Sequence, residues 1–126
     1  MEKFFYKNVL IGIRIKAFRN GSNPATDAKE PLQVLMSKHK KKHSVKAHIH
    51  SPHKRIIWRI QECLMMKKGK IKVDFYTPDK KYFKSIYLKQ GEALILAAGG
   101  HGVTFLEDSE IIEVKSGPFQ EDKIFI

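Results

Sequence analysis

Cysteine is almost absent. Cys63 is the only one among 126 residues, which excludes an internal disulfide and fits a reducing, cytoplasmic setting. Long apolar runs are missing too. Lys3, Lys7, Arg14 and Lys16 break the apolar stretch from Met1 to Phe18, and no small-residue cleavage site follows it. No run approaches the roughly 20 residues that span a bilayer, so neither secretion nor a membrane partner is expected. Acidic residues are scarce, 13 against 24 lysines and arginines, giving a formal charge of +11. Such an excess suits nucleic acid, a membrane surface or an anionic small molecule. The lysines, however, are scattered from Lys38 to Lys89 over apparent strand ends and turns, without a basic helix or an aromatic-basic strand pattern. The expectation is a solvated, lysine-rich surface and no nucleic-acid partner.

Sustained helical periodicity is the remaining absence, and it points to an all-β fold. With 42% apolar and 29% charged residues in 126, the chain has the make-up of one soluble domain, spanning 1–126. Asn8 to Lys16 alternates, with Val9, Ile11, Ile13 and Ile15 on one face. Phe18 to Pro31 carries Asn20-Gly21, Asn23-Pro24 and Glu30-Pro31 and reads as a loop. Leu32 to Lys38 and Ser44 to His50 read as strands joined by the Lys40-Lys41-Lys42 turn, the second stopped by Pro52. Ile56 to Lys67 and Lys70 to Tyr76 are expected to form a hairpin about Gly69. Tyr82 to Leu88, Ala93 to Leu96, Val103 to Leu106 and Ile111 to Lys115 complete about ten strands. So many edges in so short a chain favour a single closed antiparallel barrel or jelly roll with an interior pocket.

His48 and His50 stand two apart, so a strand would send both imidazoles to one face, about 7 Å apart along the chain. Glu62 lies among apolar residues, where an unpaired charge is expensive to bury. His101 is expected in a turn beside Gly99, Gly100 and Gly102, where missing side chains let the backbone approach a bound group. Two imidazoles, a carboxylate and a third imidazole make a donor set for a first-row divalent ion. Arg55 and Arg59 are candidates to clamp a carboxylate or phosphate over such a pocket. Glu113 and Lys115 share a strand face, as a pocket-lining ion pair or as solvated groups. Trp58, Phe75, Tyr76 and Phe105 read as core or interface residues. Cys63 reads as packing. His53 reads as an exposed turn residue, and His39 and His43 carry no assigned role.

His48-Ile49-His50, Glu62 with six residues before Gly69, and Gly91, Gly99 and His101 together resemble the two motifs of the cupin superfamily, over roughly Leu32 to Phe119. The eleven residues between His50 and Glu62 exceed the usual interval, and Ala97 stands where a proline is usual. Glu113 to Phe119 is similar to the end of small cupins associated with bacterial surface-polysaccharide clusters. The resemblance implies a small barrel holding iron, manganese, nickel or zinc through His48, His50, Glu62 and His101. It also implies a small anionic or sugar-derived ligand, with Arg55, Arg59 and Lys115 beside it, and a homodimer. Whether the chain is an enzyme stays open. The alternatives are a metal-independent isomerase or epimerase of a nucleotide-linked sugar, with histidine as general base, and a non-catalytic ligand-binding module.

Overall fold

A computed structural model describes all of residues 1–126. It contains ten strands and no helix: β1 (Glu2–Tyr6), β2 (Val9–Ile15), β3 (Gly21–Pro24), β4 (Leu35–Lys38), β5 (Glu62–Lys68), β6 (Lys70–Tyr76), β7 (Tyr82–Lys89), β8 (Ala93–Leu96), β9 (Gly100–Phe105) and β10 (Glu110–Lys115). Every pairing is antiparallel. The strands form a five-stranded sheet in the order β1-β2-β8-β5-β10, a three-stranded sheet β7-β6-β9 and a two-stranded sheet β3-β4. No sheet closes on itself.

The two larger sheets face each other across one core. Phe4, Ile11, Leu64, Leu94 and Leu96 come from the five-stranded sheet, and Ile71, Val73, Phe75, Ile86 and Leu88 from the three-stranded one. Strand alternation explains the selection: in β6 Ile71, Val73 and Phe75 are buried while Lys70, Lys72, Asp74 and Tyr76 are not. A second core lies on the outer face of the five-stranded sheet, where Ile13, Ile15, Cys63 and Ile95 pack against Met36 of β4 and against Ala25. The register puts Ile13 and Cys63 on either side of Ile95. β8 is therefore buried on both faces, which is why its sequence is a continuous apolar run. Arg14 links the two large sheets at their margin, with Nη1 donating to Tyr87 O at 3.0 Å and Nε to Glu2 at 3.0 Å.

Four expectations are corrected by the fold. The apolar face of β2 is split: pairing passes from Phe4↔Gly12 to Phe5↔Leu10, leaving Ile11 as an extra residue, and this bulge turns Ile11 into the main core while Ile13 and Ile15 enter the outer one. The region from Phe18 to Pro31 is not all loop, because Gly21–Pro24 pairs with Leu35–Lys38. The strands around Gly69 do not form a hairpin. β5 pairs with β8 and β10, and β6 with β7 and β9, so Gly69 is a corner between sheets. Its φ of +84° favours glycine, and a Cβ there would sit 2.6 Å from Asp108 O.

The fourth correction is the largest. Ser44 to His50 is not a strand. Residues 39–60 form an arm in which every residue is exposed, and residues 44–60 make no backbone–backbone hydrogen bond. Ile49 is 93% and Trp58 96% exposed. The arm ends at Gln61, which is buried and fixes its root: the side-chain amide donates to Ala97 O at 3.2 Å, and its oxygen accepts from Leu32 N at 3.2 Å. Arg59 pairs with Glu30 at 2.9 Å beside it.

Candidate functional site

Glu62 is the first residue of β5, opposite Leu96 on one side and Lys115 on the other. Cys63, next in the strand, packs in the outer core, so alternation sends Glu62 toward the opposing sheet. His101 is the second residue of β9, opposite Phe75. It lies in a strand rather than in the expected glycine turn. From these two sheets the side chains meet, Glu62 Oε2 standing 3.2 Å from His101 Nε2. The carboxylate is largely enclosed, at 14% exposure, and the imidazole is at 34%. The hydrogen bond from His101 holds the Glu62 carboxyl below its ordinary range, against the opposing effect of burial, and the charges of Lys115 and Lys123 act in the same direction as the bond.

The glycines before His101 serve the chain itself. Gly99 has φ +76°, and a Cβ there would run into the carbonyl oxygen of Tyr76. A Cβ on Gly100 would come within 2.5 Å of Ile126 Cδ1. The space expected for a bound group beside Gly100 thus holds the side chain of Ile126. The C-terminal segment from Asp122 to Ile126 helps to line a cavity of about 600 Å³ that also includes Glu62, His101 and Tyr76. A smaller cavity of about 250 Å³ shares Glu62 and is bounded by Lys115 and Ser116. The Ser116 hydroxyl is buried without a hydrogen-bond partner.

Of the four expected metal donors, Glu62 and His101 are brought together. His48 and His50 are near each other, with ring centroids 5.0 Å apart and planes at 76°, but they lie on the arm. Nowhere do three His, Cys, Asp or Glu side chains gather closely enough to hold an ion. His48 Nδ1 donates to Lys46 O at 2.9 Å, which leaves Nε2 as the lone-pair nitrogen of the neutral ring. Arg55 lies on the arm against His53 O at 3.4 Å, and Arg59 is engaged with Glu30. Lys115 pairs with Glu113 at 2.9 Å, which raises its pKa, and it stands beside Glu62 at the smaller cavity. Gln61, Tyr76, Ser116 and Lys123 were not singled out as site residues from sequence. Only Gln61, a polar side chain inside an apolar stretch, left a signal there.

The spacing of the assembled pair fits a metal ion. Two donors at about 2.1 Å from one ion, at the roughly 90–110° angles of octahedral or tetrahedral coordination, are about 3.0–3.4 Å apart. The same pair, without metal, is a histidine oriented by a carboxylate. Compared with known proteins, the chain matches no family model, no curated protein and no solved structure.

Proposed function

We propose that this chain is a cupin-type metalloprotein that handles a small anionic or sugar-derived ligand, with Glu62 and His101 as fixed donors and His48 and His50 as donors delivered by the arm. The observation that carries this reading is the 3.2 Å approach of Glu62 Oε2 to His101 Nε2 across two sheets. The residues lie 39 positions apart and were expected as co-ligands from sequence. Addition of the arm as a further strand would complete the jelly roll on the side where β9 and β10 are now edges. A bound iron, manganese, nickel or zinc ion would supply Lewis acidity toward an oxygen of the ligand. The chain's own contribution is binding and orientation. Lys115 and Lys123 place positive charge at the two cavities, Tyr76 forms a wall, and Glu62 would offer the ion a carboxylate oxygen beside the His101 nitrogen.

A second reading is favoured by the same pair. With Glu62 accepting a hydrogen bond from His101, the imidazole is positioned as a general base for isomerising or epimerising a nucleotide-linked sugar without metal. Metal content of the purified protein separates the two. The metal reading expects about one ion per chain, with affinity reduced at least about tenfold in His101→Ala and again in the His48→Ala/His50→Ala variant. Stoichiometric metal retained by both variants would defeat it. Turnover of a nucleotide-sugar that persists after complete chelation would establish the second.

A further inference from the structure

The arm and the far end of the chain are complementary. Between Glu30 and Glu62 there are eight lysines and arginines and no acidic residue. From His101 to Ile126 there are six acidic residues and two lysines. Both regions expose large apolar side chains that their own fold does not cover. Ile49, Ile56 and Trp58 on the arm are 93%, 70% and 96% exposed, and Phe105, Phe119 and Phe125 at the other end are 59%, 76% and 89%. Both also have unpaired backbone. Residues 44–60 form no backbone pairs, while β9 and β10 are edge strands, each with one free side.

We infer that the arm of residues 39–60 docks on the β9–β10 face of a second copy of this chain, and the second arm on the first, in a two-fold exchange. Several features favour a second copy as the occupant. The surface carries both halves of the match, so one symmetry operation satisfies both at once. The root of the arm is pinned to its own sandwich by Gln61 and Arg59, and beyond that root residues 44–58 make only local hydrogen bonds. The arm carries no acidic residue and the 101–126 end is net acidic, with Glu110 and Glu113 already shared with Lys67 and Lys115, so the electrostatic match steers the arm to this end of a partner.

Residues Lys46, His48 and His50 alternate with Val45, Ala47 and Ile49, so the arm has the pattern of a strand. Paired with β9, its histidine face can align with the face that carries His101. Directly opposed Cβ atoms are then about 5 Å apart. One copy's His48 and His50 thereby join Glu62 and His101 of the other. This last step rests on the metal reading above, whereas the docking itself does not.

Two experiments test the parts separately. In the first, one variant carries Lys40→Glu, Lys41→Glu and Lys42→Glu, and another carries Glu107→Lys, Glu110→Lys and Glu113→Lys. All six positions are exposed, and circular dichroism checks that both variants fold. Sedimentation is expected to show a wild-type dimer, association weakened at least about tenfold in each variant, and a dimer recovered when the two are mixed. A monomeric wild type, variants that dimerise as tightly as wild type, or a mixture that stays monomeric would overturn the docking.

In the second, the His48→Ala/His50→Ala variant is mixed with His101→Ala, and Co²⁺ binding is read from its absorption spectrum. Exchange restores one intact site in each mixed pair, about one quarter of the wild-type total for statistical mixing. Mixed dimers that regain no Co²⁺ site would show that each arm serves its own chain and would overturn the exchange. A wild type that binds no Co²⁺ would instead remove the metal reading and leave the charge-swap result to decide the docking.

Discussion

The sandwich and the arm are built from similar residues and come to opposite ends. Ile13, Ile71 and Ile95 are buried almost completely, while Ile49 and Ile56 lie in water. The difference is in the partners. β6 and β8 have a hydrogen-bonded neighbour on each side and an apolar layer to face. The arm has neither, although its alternation between Val45 and His50 suits a strand equally well. An alternating pattern specifies a strand only where a second strand is within reach, and residues 44–60 pair with none.

The comparison is broken most severely by changes inside the sandwich. Phe75 is fully buried and packs against Phe4, with ring centroids 5.4 Å apart and planes tilted by 45°. Phe75→Ala is expected to lower the unfolding free energy by about 3–5 kcal/mol in urea titration. Gly99→Ala comes next at about 3 kcal/mol, because the left-handed backbone and the Tyr76 carbonyl both oppose a Cβ. At the boundary, Gln61→Ala leaves Ala97 O and Leu32 N without their side-chain partner and should cost about 1–3 kcal/mol.

Within the arm the expected effect nearly disappears. Trp58→Ala, measured in the dilute monomer, should change stability by no more than about 0.5 kcal/mol. Amide exchange should be fast throughout 44–60 and slow in β6 and β8. A large loss of monomer stability on removing Trp58 would mean that the arm packs on its own sandwich.

The smallest effect concerns acid. Hydrogen bonding from Ser85 and Lys72 lowers the Asp74 pKa, and the Arg14 hydrogen bond lowers that of Glu2. A depressed carboxyl stabilises fully above its unfolded value and loses that contribution as pH falls through the folded one. Stability should therefore decline below the ordinary values of 4.5 for Glu2 and 3.8 for Asp74. Glu2→Gln with Asp74→Asn should flatten that part of the pH profile of urea midpoints.

Most strands were legible because they are local statements. Ala93 to Leu96 is found with the same bounds, and Lys70 to Tyr76 likewise. Which strands pair was less legible. The Lys68-Gly69 turn suited a hairpin, but whether a glycine folds a strand back or carries it to the opposite sheet depends on residues far away, here Asp108 and Ser109. The bulge at Ile11 was hidden for a similar reason, since it is set by the register with β1. At the site, Glu62 and His101 announced themselves by type and surroundings. The filling of the space beside Gly100 by Ile126 did not, because nothing local to either residue requires it.

The central claim is that imidazoles from the arm and the glycine-flanked strand share one ion with Glu62. X-ray absorption at the edge of the metal bound to the purified protein counts those imidazoles directly. Three imidazole nitrogens with oxygen completing the shell are predicted, falling to two in His101→Ala. A shell with no imidazole, or one unchanged by His101→Ala, would contradict it.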